Sequence, residues 1–367
     1  MPDLAPGFTA LTHALTPTAW RGILRVDVRK AGFAVPLRVG VAVAVVFALG
    51  GLAGEHTLAG FGALGALVSA FCRPDPYPVR AGRLAVLGAG ITAAIGVGAV
   101  LGAAGVGVLA EVVVISVLAG AAAYLVWALH IVGPGAVAFV FGAAGAQAFA
   151  RDLGDVAAVT AVTAGGAVIG ALAALAPWLI RLAAGKRGRH ESATVRREPI
   201  WTTLHRAPHR TLLARGARIT VAGGLGAAVA ISLGLDHPMW ATMGAVATMQ
   251  GVGYHVTVHR GVQRLLGNVG GAVLAALLLG LPLGYWGTVA SIIVFQVAAE
   301  VAATVNYALT SLAVTPMALL LTGLGTGLTP GAALDRVLDT AVGVVIGIVV
   351  AAVTISGTDA EHLRRMR

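Results

Sequence analysis

From Leu84 to Ala150 the chain carries one charged side chain, Glu111. Water-soluble domains hold about a quarter of their residues as charged types, whereas this chain has 11% charged and 58% hydrophobic residues. The Leu84–Ala150 stretch is several times the roughly 20 residues that cross a bilayer core. It must therefore fold back through the membrane more than once. Its Ala, Gly, Val and Leu residues show no alternation of period two, which points to helices rather than a barrel. Fifty-one glycines suit transmembrane helices packed backbone to backbone.

Apolar runs divide the chain into two sets of six candidate spans. The first set lies near 35–54, 57–72, 84–104, 107–129, 132–150 and 156–180. The second lies near 216–234, 238–255, 265–283, 286–307, 309–327 and 334–355. The expected organisation is a cytoplasmic N-terminal segment (1–34), a first six-helix repeat (35–180), a basic linker (181–215), a second repeat (216–356) and a basic tail (357–367). The fold class expected is all-α integral membrane, with two tandem parallel repeats.

Charge distribution orients this arrangement. From Arg181 to Arg218 the chain is rich in Arg and Lys, opposed only by Glu191 and Glu198, and such segments stay cytoplasmic. With six spans per half, both termini share that side. All of the 25 Lys and Arg then fall inside except Arg151 and Arg336. The isoelectric point near 10.9 follows from this topology, with anionic lipids as partners of the inner face and no nucleic acid implied. Tracts leading into each half read as surface-lying amphipathic helices, with Trp20, Ile23, Leu24 and Val28 on one stripe and Arg21, Arg25 and Arg29 on another. The first apolar run begins near Phe33 and is long enough to span, so no cleaved signal is expected. Cys72 is the sole cysteine, which precludes an intramolecular disulfide.

The halves share local patterns. Trp20, Arg25 and Arg29 match Trp201, Arg206 and Arg210, Arg38 matches Arg218, and Arg80 matches Arg260. "GGAVIG" (165–170) parallels "VGVVIG" (342–347). A repeat with an even number of spans keeps its orientation, so the halves should pack about an axis along the membrane normal.

The second half resembles the fusaric acid resistance (FUSC-like) family, which includes aromatic acid exporters. The resemblance rests on "DHPMWATMGAVATMQ" (236–250), "HRGVQRLLGNVGGAV" (259–273), "NYALTSLAVTPMALLL" (306–321) and "RVLDTAVGVVIG" (336–347), in the family's order and spacing. It implies efflux of amphipathic organic acids driven by the proton gradient. The first half departs from the pattern: Val159 and Val162 stand where the second half has Arg336 and Asp339. Any site should then be asymmetric.

Several charged motifs are candidates. In "YHVTVHRGVQR", read as a loop, His255 and His259 lie four apart, as do Arg260 and Arg264. Two histidines at that spacing could ligate a metal, but no third ligand is evident, so none is assigned. Arg260, Arg264 and His259, with Arg80 and Arg83 of the first half, read either as topological anchors or as an electropositive inner vestibule for organic anions. Arg336 and Asp339, three apart at the outer start of the last span, can pair on one helix turn. His56 and His237 sit in corresponding outer loops. Trp240 and Tyr307 offer ring faces to a substrate.

Glu300 lies within apolar sequence, somewhat inward of the middle of its span. An acid there needs a partner, a cavity or a proton. Gln296, Glu300, Thr304, Tyr307 and Ser311 follow helical spacing as one polar stripe, with Asn306 off it. Gln296, Glu300, Thr304, Asn306 and Tyr307 form the candidate proton-coupling and substrate path. Packing through a protonated Glu300 is the plainer alternative. Under the coupling reading, Glu300→Gln abolishes gradient-driven export and leaves folding intact.

The function expected is export of small organic acids across the inner membrane, without an enzymatic step or a cofactor. A passive organic-anion channel resembling plant malate channels and a non-transport membrane scaffold are the alternatives. The major-facilitator pattern fits less well, because "YHVTVHRGVQR" has no Asp before its Arg residues. A homo-oligomer is compatible with the sequence, which is silent on a periplasmic adaptor.

Overall fold

Within a bilayer, a helix satisfies its own backbone groups, and that demand turns the apolar runs into helices. The computed structural model describes residues 5–14, 16, 22, 23, 25–185, 200–251, 253–357 and 359–361. The described residues are helical throughout, with connecting turns and no strands. Helix α1 (Ala5–Ala14) precedes the first half, α2 (Ala34–Leu52), α3 (His56–Ala66), α4 (Tyr77–Ala103), α5 (Val108–Ala128), α6 (Ala136–Phe149) and α7 (Leu153–Ala183). After α8 (Ile200–Arg206) come α9 (His209–Ser232), α10 (Pro238–Met249), α11 (Tyr254–Leu279), α12 (Gly284–Ala302), α13 (Tyr307–Thr326) and α14 (Ala332–Val353).

Nine of these helices are long and apolar enough to cross a membrane, so the chain is a multi-pass membrane protein. Each of the twelve expected spans contains a helix, but α3, α6 and α10 are shorter than a crossing requires. The 12 residues of α10 rise about 18 Å against a core of about 30 Å. Burial explains how such short helices are retained. Ala59–Ala66 of α3 and Met239–Met249 of α10 are buried all round, so protein rather than lipid surrounds them.

Helix starts differ from the apolar boundaries for a local reason. Helix α4 begins at Tyr77 behind Pro76, α9 at His209 behind Pro208, and α11 at Tyr254 behind Gly253 with φ of 91°. Proline and positive-φ glycine set these starts, not the onset of charge. The tract "YHVTVHRGVQR" is consequently the first turns of α11 rather than a loop.

Small residues position the short helices. Gly166 and Gly170 of α7 lie against the carbonyls of Gly62 and Ala66 of α3; Gly343 and Gly347 of α14 lie against those of Ala241 and Ala245 of α10. A methyl group at Gly166 or Gly343 would overlap a backbone oxygen. The parallel sequences "GGAVIG" and "VGVVIG" therefore make the same contact in each half. Packing between the halves is reciprocal. Helix α2 packs on α12 and α9 on α5, while α3 meets α13 and α10 meets α6.

The N-terminal segment lies across one end of the second half. The Tyr254 hydroxyl donates to the Ala10 carbonyl (2.8 Å), and Gln263 and Asn306 donate to that of Ile23 (2.7 and 3.0 Å). Asn306 also donates to the Arg25 carbonyl and Thr304 to that of Lys30. With its carbonyls engaged by these side chains, the stretch 25–33 holds a short 3₁₀ turn at Val28–Lys30. This replaces the amphipathic helix expected there; Trp20, Arg21 and Leu24 of that stripe lie outside the described residues.

Candidate functional site

The packing of α14 determines which of its side chains face inward. Arg336, Thr340, Gly343 and Gly347 fall at i, i+4, i+7 and i+11, one face of a helix, and Gly343 and Gly347 fix that face against α10. Arg336 and Asp339 are thus carried into the protein, 2% and 0% exposed. The ion pair expected from their spacing is not formed: neither takes part in an ion pair within 4.0 Å among the described residues. Val159, Thr163, Gly166 and Gly170 occupy the matching face of α7, so the first half is apolar where the second is charged.

Around Arg336 the second half assembles a buried polar cluster. Arg264 and Asn268 project from α11, Ser311 and Thr315 from α13, and Asp339 and Thr340 from α14; none is more than 3% exposed. Asn268 Nδ2 donates to the Arg336 carbonyl (3.1 Å), and its Oδ1 accepts from the Thr315 hydroxyl (3.2 Å). Ser311 donates to the Arg264 carbonyl (3.0 Å). These bonds hold the backbones of the two arginines and leave their guanidinium groups less served. Arg264 Nε, Arg336 Nε and Nη1, both Asp339 carboxylate oxygens and Thr340 Oγ1 are buried without a hydrogen-bond partner. Arg336 experiences the charges of both Arg264 and Asp339. Burying several polar atoms without partners costs free energy at each one, and such a concentration marks a place built for something polar to enter.

Trp240, near the start of α10, borders this cluster. The Arg336 guanidinium lies over its ring at 5.0 Å, and the His237 ring stacks on it at 4.0 Å. Burial pushes His237 below the ordinary histidine range, opposed by Asp335 and Asp236 and reinforced by Arg336. His56 stacks instead on Tyr285 of the other half, at 4.0 Å.

His259, Arg260 and Tyr307 lie beside the residues that bind the N-terminal segment, Gln263 and Asn306. Arg260 lies over the Tyr307 ring at 4.1 Å, in a cluster separate from Trp240. His259 packs against His255, 4.2 Å between ring centroids, with its Nε2 unpartnered. Among the described residues no three potential ligands gather to hold a metal ion. The vestibule expected from Arg80, Arg83, Arg260 and Arg264 is not an open basic surface. Arg264 is buried, Arg83 bridges Asp75 at 2.8 Å, and Arg80 donates to the Arg73 carbonyl and lies over Tyr77.

Glu300 has a partner that its sequence neighbourhood conceals. Arg73, from the loop before α4, forms an ion pair with its carboxylate and donates from Nη1 to the Glu300 carbonyl (3.2 Å). Gln296 donates to the same carboxylate (3.0 Å). Helix α12 ends at Ala302, which places Glu300 in its last turn rather than near mid-span. The five-residue stripe is broken there. Thr304 is exposed in the turn, Asn306 caps α13 through the Ala308 amide, and Tyr307 and Ser311 belong to α13. Arg73 thus joins the halves by capping the negative end of α12 and neutralising its acid. Glu300→Gln is expected to lower stability by about 3 kcal/mol or more, the usual cost of removing one partner of a buried pair. Exchanging both, Arg73→Glu with Glu300→Arg, should recover part of the melting temperature in detergent.

Sequence reasoning missed Arg73, Asn268, Thr315 and Thr340. For the last three a signal existed: Arg264/Asn268 and Ser311/Thr315 are polar pairs four apart within apolar helices, and Thr340 lies on the small-residue face. Residues 221–350 match the model of the family described as fusaric acid resistance protein-like, a span containing every member of the buried cluster. No curated protein and no solved structure matches the chain. The similarity covers the greater part of the second half and none of the first.

Proposed function

We propose that this chain, FUSC-like over its second half, exports small amphipathic organic anions across the inner membrane, with both termini cytoplasmic and the proton gradient as the energy source. The carrying observation is the pair of buried arginines inside the matched region, with Arg264 Nε and Arg336 Nε and Nη1 left without hydrogen-bond partners. A carboxylate between them would satisfy both, and guanidinium forks suit that geometry. Trp240 would meet the apolar body of the cargo, and Asn268 and Thr315 would keep Arg336 in place.

Two copies of one six-helix unit would explain the reciprocal packing of the halves and the matching glycine contacts of α3 with α7 and α10 with α14. Only the second copy carries the charged cluster. The basic linker and tail support a cytoplasmic location for both termini. Anionic lipids would meet that face.

Ligand binding tests this reading before transport does. Benzoate at about 100 times its dissociation constant should stabilise the purified protein by about 2.7 kcal/mol, read as a rise in melting temperature. Arg336→Gln should lose that rise. No shift with benzoate or any related acid would remove the proposal. A passive anion channel is the second reading, favoured by the engagement of Glu300 with Arg73, which takes up the acid expected to carry protons.

A further inference from the structure

We infer that Asp339 sets the charge of the cargo, selecting monoanions over dianions; this rests on the organic-anion reading of the same site. Three ionisable side chains meet in the buried cluster, Arg264, Arg336 and Asp339, and with Asp339 ionised their formal charges sum to a single positive charge. Asp339 is 0% exposed and both its oxygens lack hydrogen-bond partners. Arg336 feels both other charges. An enclosed site disfavours net charge, because desolvation costs several kcal/mol per uncompensated ion. One monocarboxylate brings the cluster to neutrality. A dicarboxylate leaves it negative by one, with its second carboxylate facing Asp339.

Neighbouring groups reinforce the bias without creating it. Asp335 and Asp236 also act on Asp339, but Asp335 is half-buried and Asp236 exposed, so water and salt screen them. Trp240 of α10 and His237, just before that helix, approach Arg336; the other polar neighbours, Asn268, Ser311, Thr315 and Thr340, carry no charge. In the first half Val159 and Val162 replace Arg336 and Asp339, so the selection belongs to the second half alone. Asp339 is a specificity-determining residue, because its charge opposes a second negative group rather than attracting the first.

Terephthalate and 4-carbamoylbenzoate test this, since they share one shape and differ by one charge. Efflux of each is measured from proteoliposomes holding the full-length protein at mildly alkaline pH, with Asp339 ionised. The wild type should favour 4-carbamoylbenzoate by about tenfold or more, the scale of one like-charge juxtaposition. Asp339→Asn should shift the preference towards terephthalate, and Asp339→Glu should keep the wild-type order. Equal rates for both probes in the wild type would overturn the inference, as would an unchanged preference in a folded Asp339→Asn. If Asp339→Asn does not fold, the wild-type and Asp339→Glu rates decide. Absence of flux for either probe through folded wild type would instead remove the transport reading on which this rests.

Discussion

Arg336→Gln is expected to reduce organic-anion efflux on the order of a hundredfold, as for other buried charged groups that lose a partner. The same substitution should raise the melting temperature of the empty protein. Arg336 is 2% exposed, no carboxylate of the described residues lies within ion-pair distance, and two of its nitrogens are unpartnered. Removing it brings the cluster from a net positive charge to neutrality. Replacing buried ionic groups by well-packed neutral ones is often neutral or stabilising. Opposite movements of stability and transport separate a cargo-binding arginine from a structural one, whose loss would lower both. Arg336→Lys keeps the charge but loses the planar fork and its stacking on Trp240, so efflux should recover only in part. Concurrent loss of stability and flux in Arg336→Gln would assign it to packing instead.

Gly343→Ala should cost about 1–3 kcal/mol through overpacking, and Gly166→Ala a comparable amount. In each case the added methyl overlaps a backbone carbonyl, that of Ala241 or Gly62, on a helix that is itself buried all round. Neither short helix can move aside into lipid. Gly165 supplies the control one residue away, since a methyl there meets nothing within 4 Å. Gly165→Ala should leave the melting temperature unchanged or slightly raised, because alanine favours the helix. Gly343→Ala should also disturb transport, since Gly343 and Arg336 share the face of α14 that packs on α10. Tolerance at Gly166 and Gly343 equal to that at Gly165 would contradict the close approach of these helices.

Much of this architecture was legible in the apolar runs, because a bilayer permits few alternatives to the helix. The helix starts were less so. Tyr77, His209 and Tyr254 begin helices that run well beyond the apolar stretch, and the turn chemistry of Pro76, Pro208 and Gly253 decided each one. The site was only half visible. Arg336 and Asp339 stood out as charges but read as an ion pair with each other, since their spacing says that they share a turn and nothing about which way it faces. That direction was encoded at Gly343 and Gly347, one and two turns beyond Thr340. Glu300 was conspicuous for a different reason than its pairing. Arg73 lies 227 positions earlier, and no local pattern could join them. Among the described residues two acids are buried, one neutralised at the seam between the halves and one beside two arginines.

The most direct test is efflux of radiolabelled benzoate from proteoliposomes, with the membrane potential clamped and a pH gradient imposed or omitted. Organic-anion transport driven by the proton gradient predicts benzoate loss well above that of protein-free vesicles, accelerated by the gradient and removed by Arg264→Gln or Arg336→Gln. Efflux that is independent of the gradient would favour the channel reading, and efflux no faster than from protein-free vesicles, for benzoate and its relatives alike, would contradict transport by this chain.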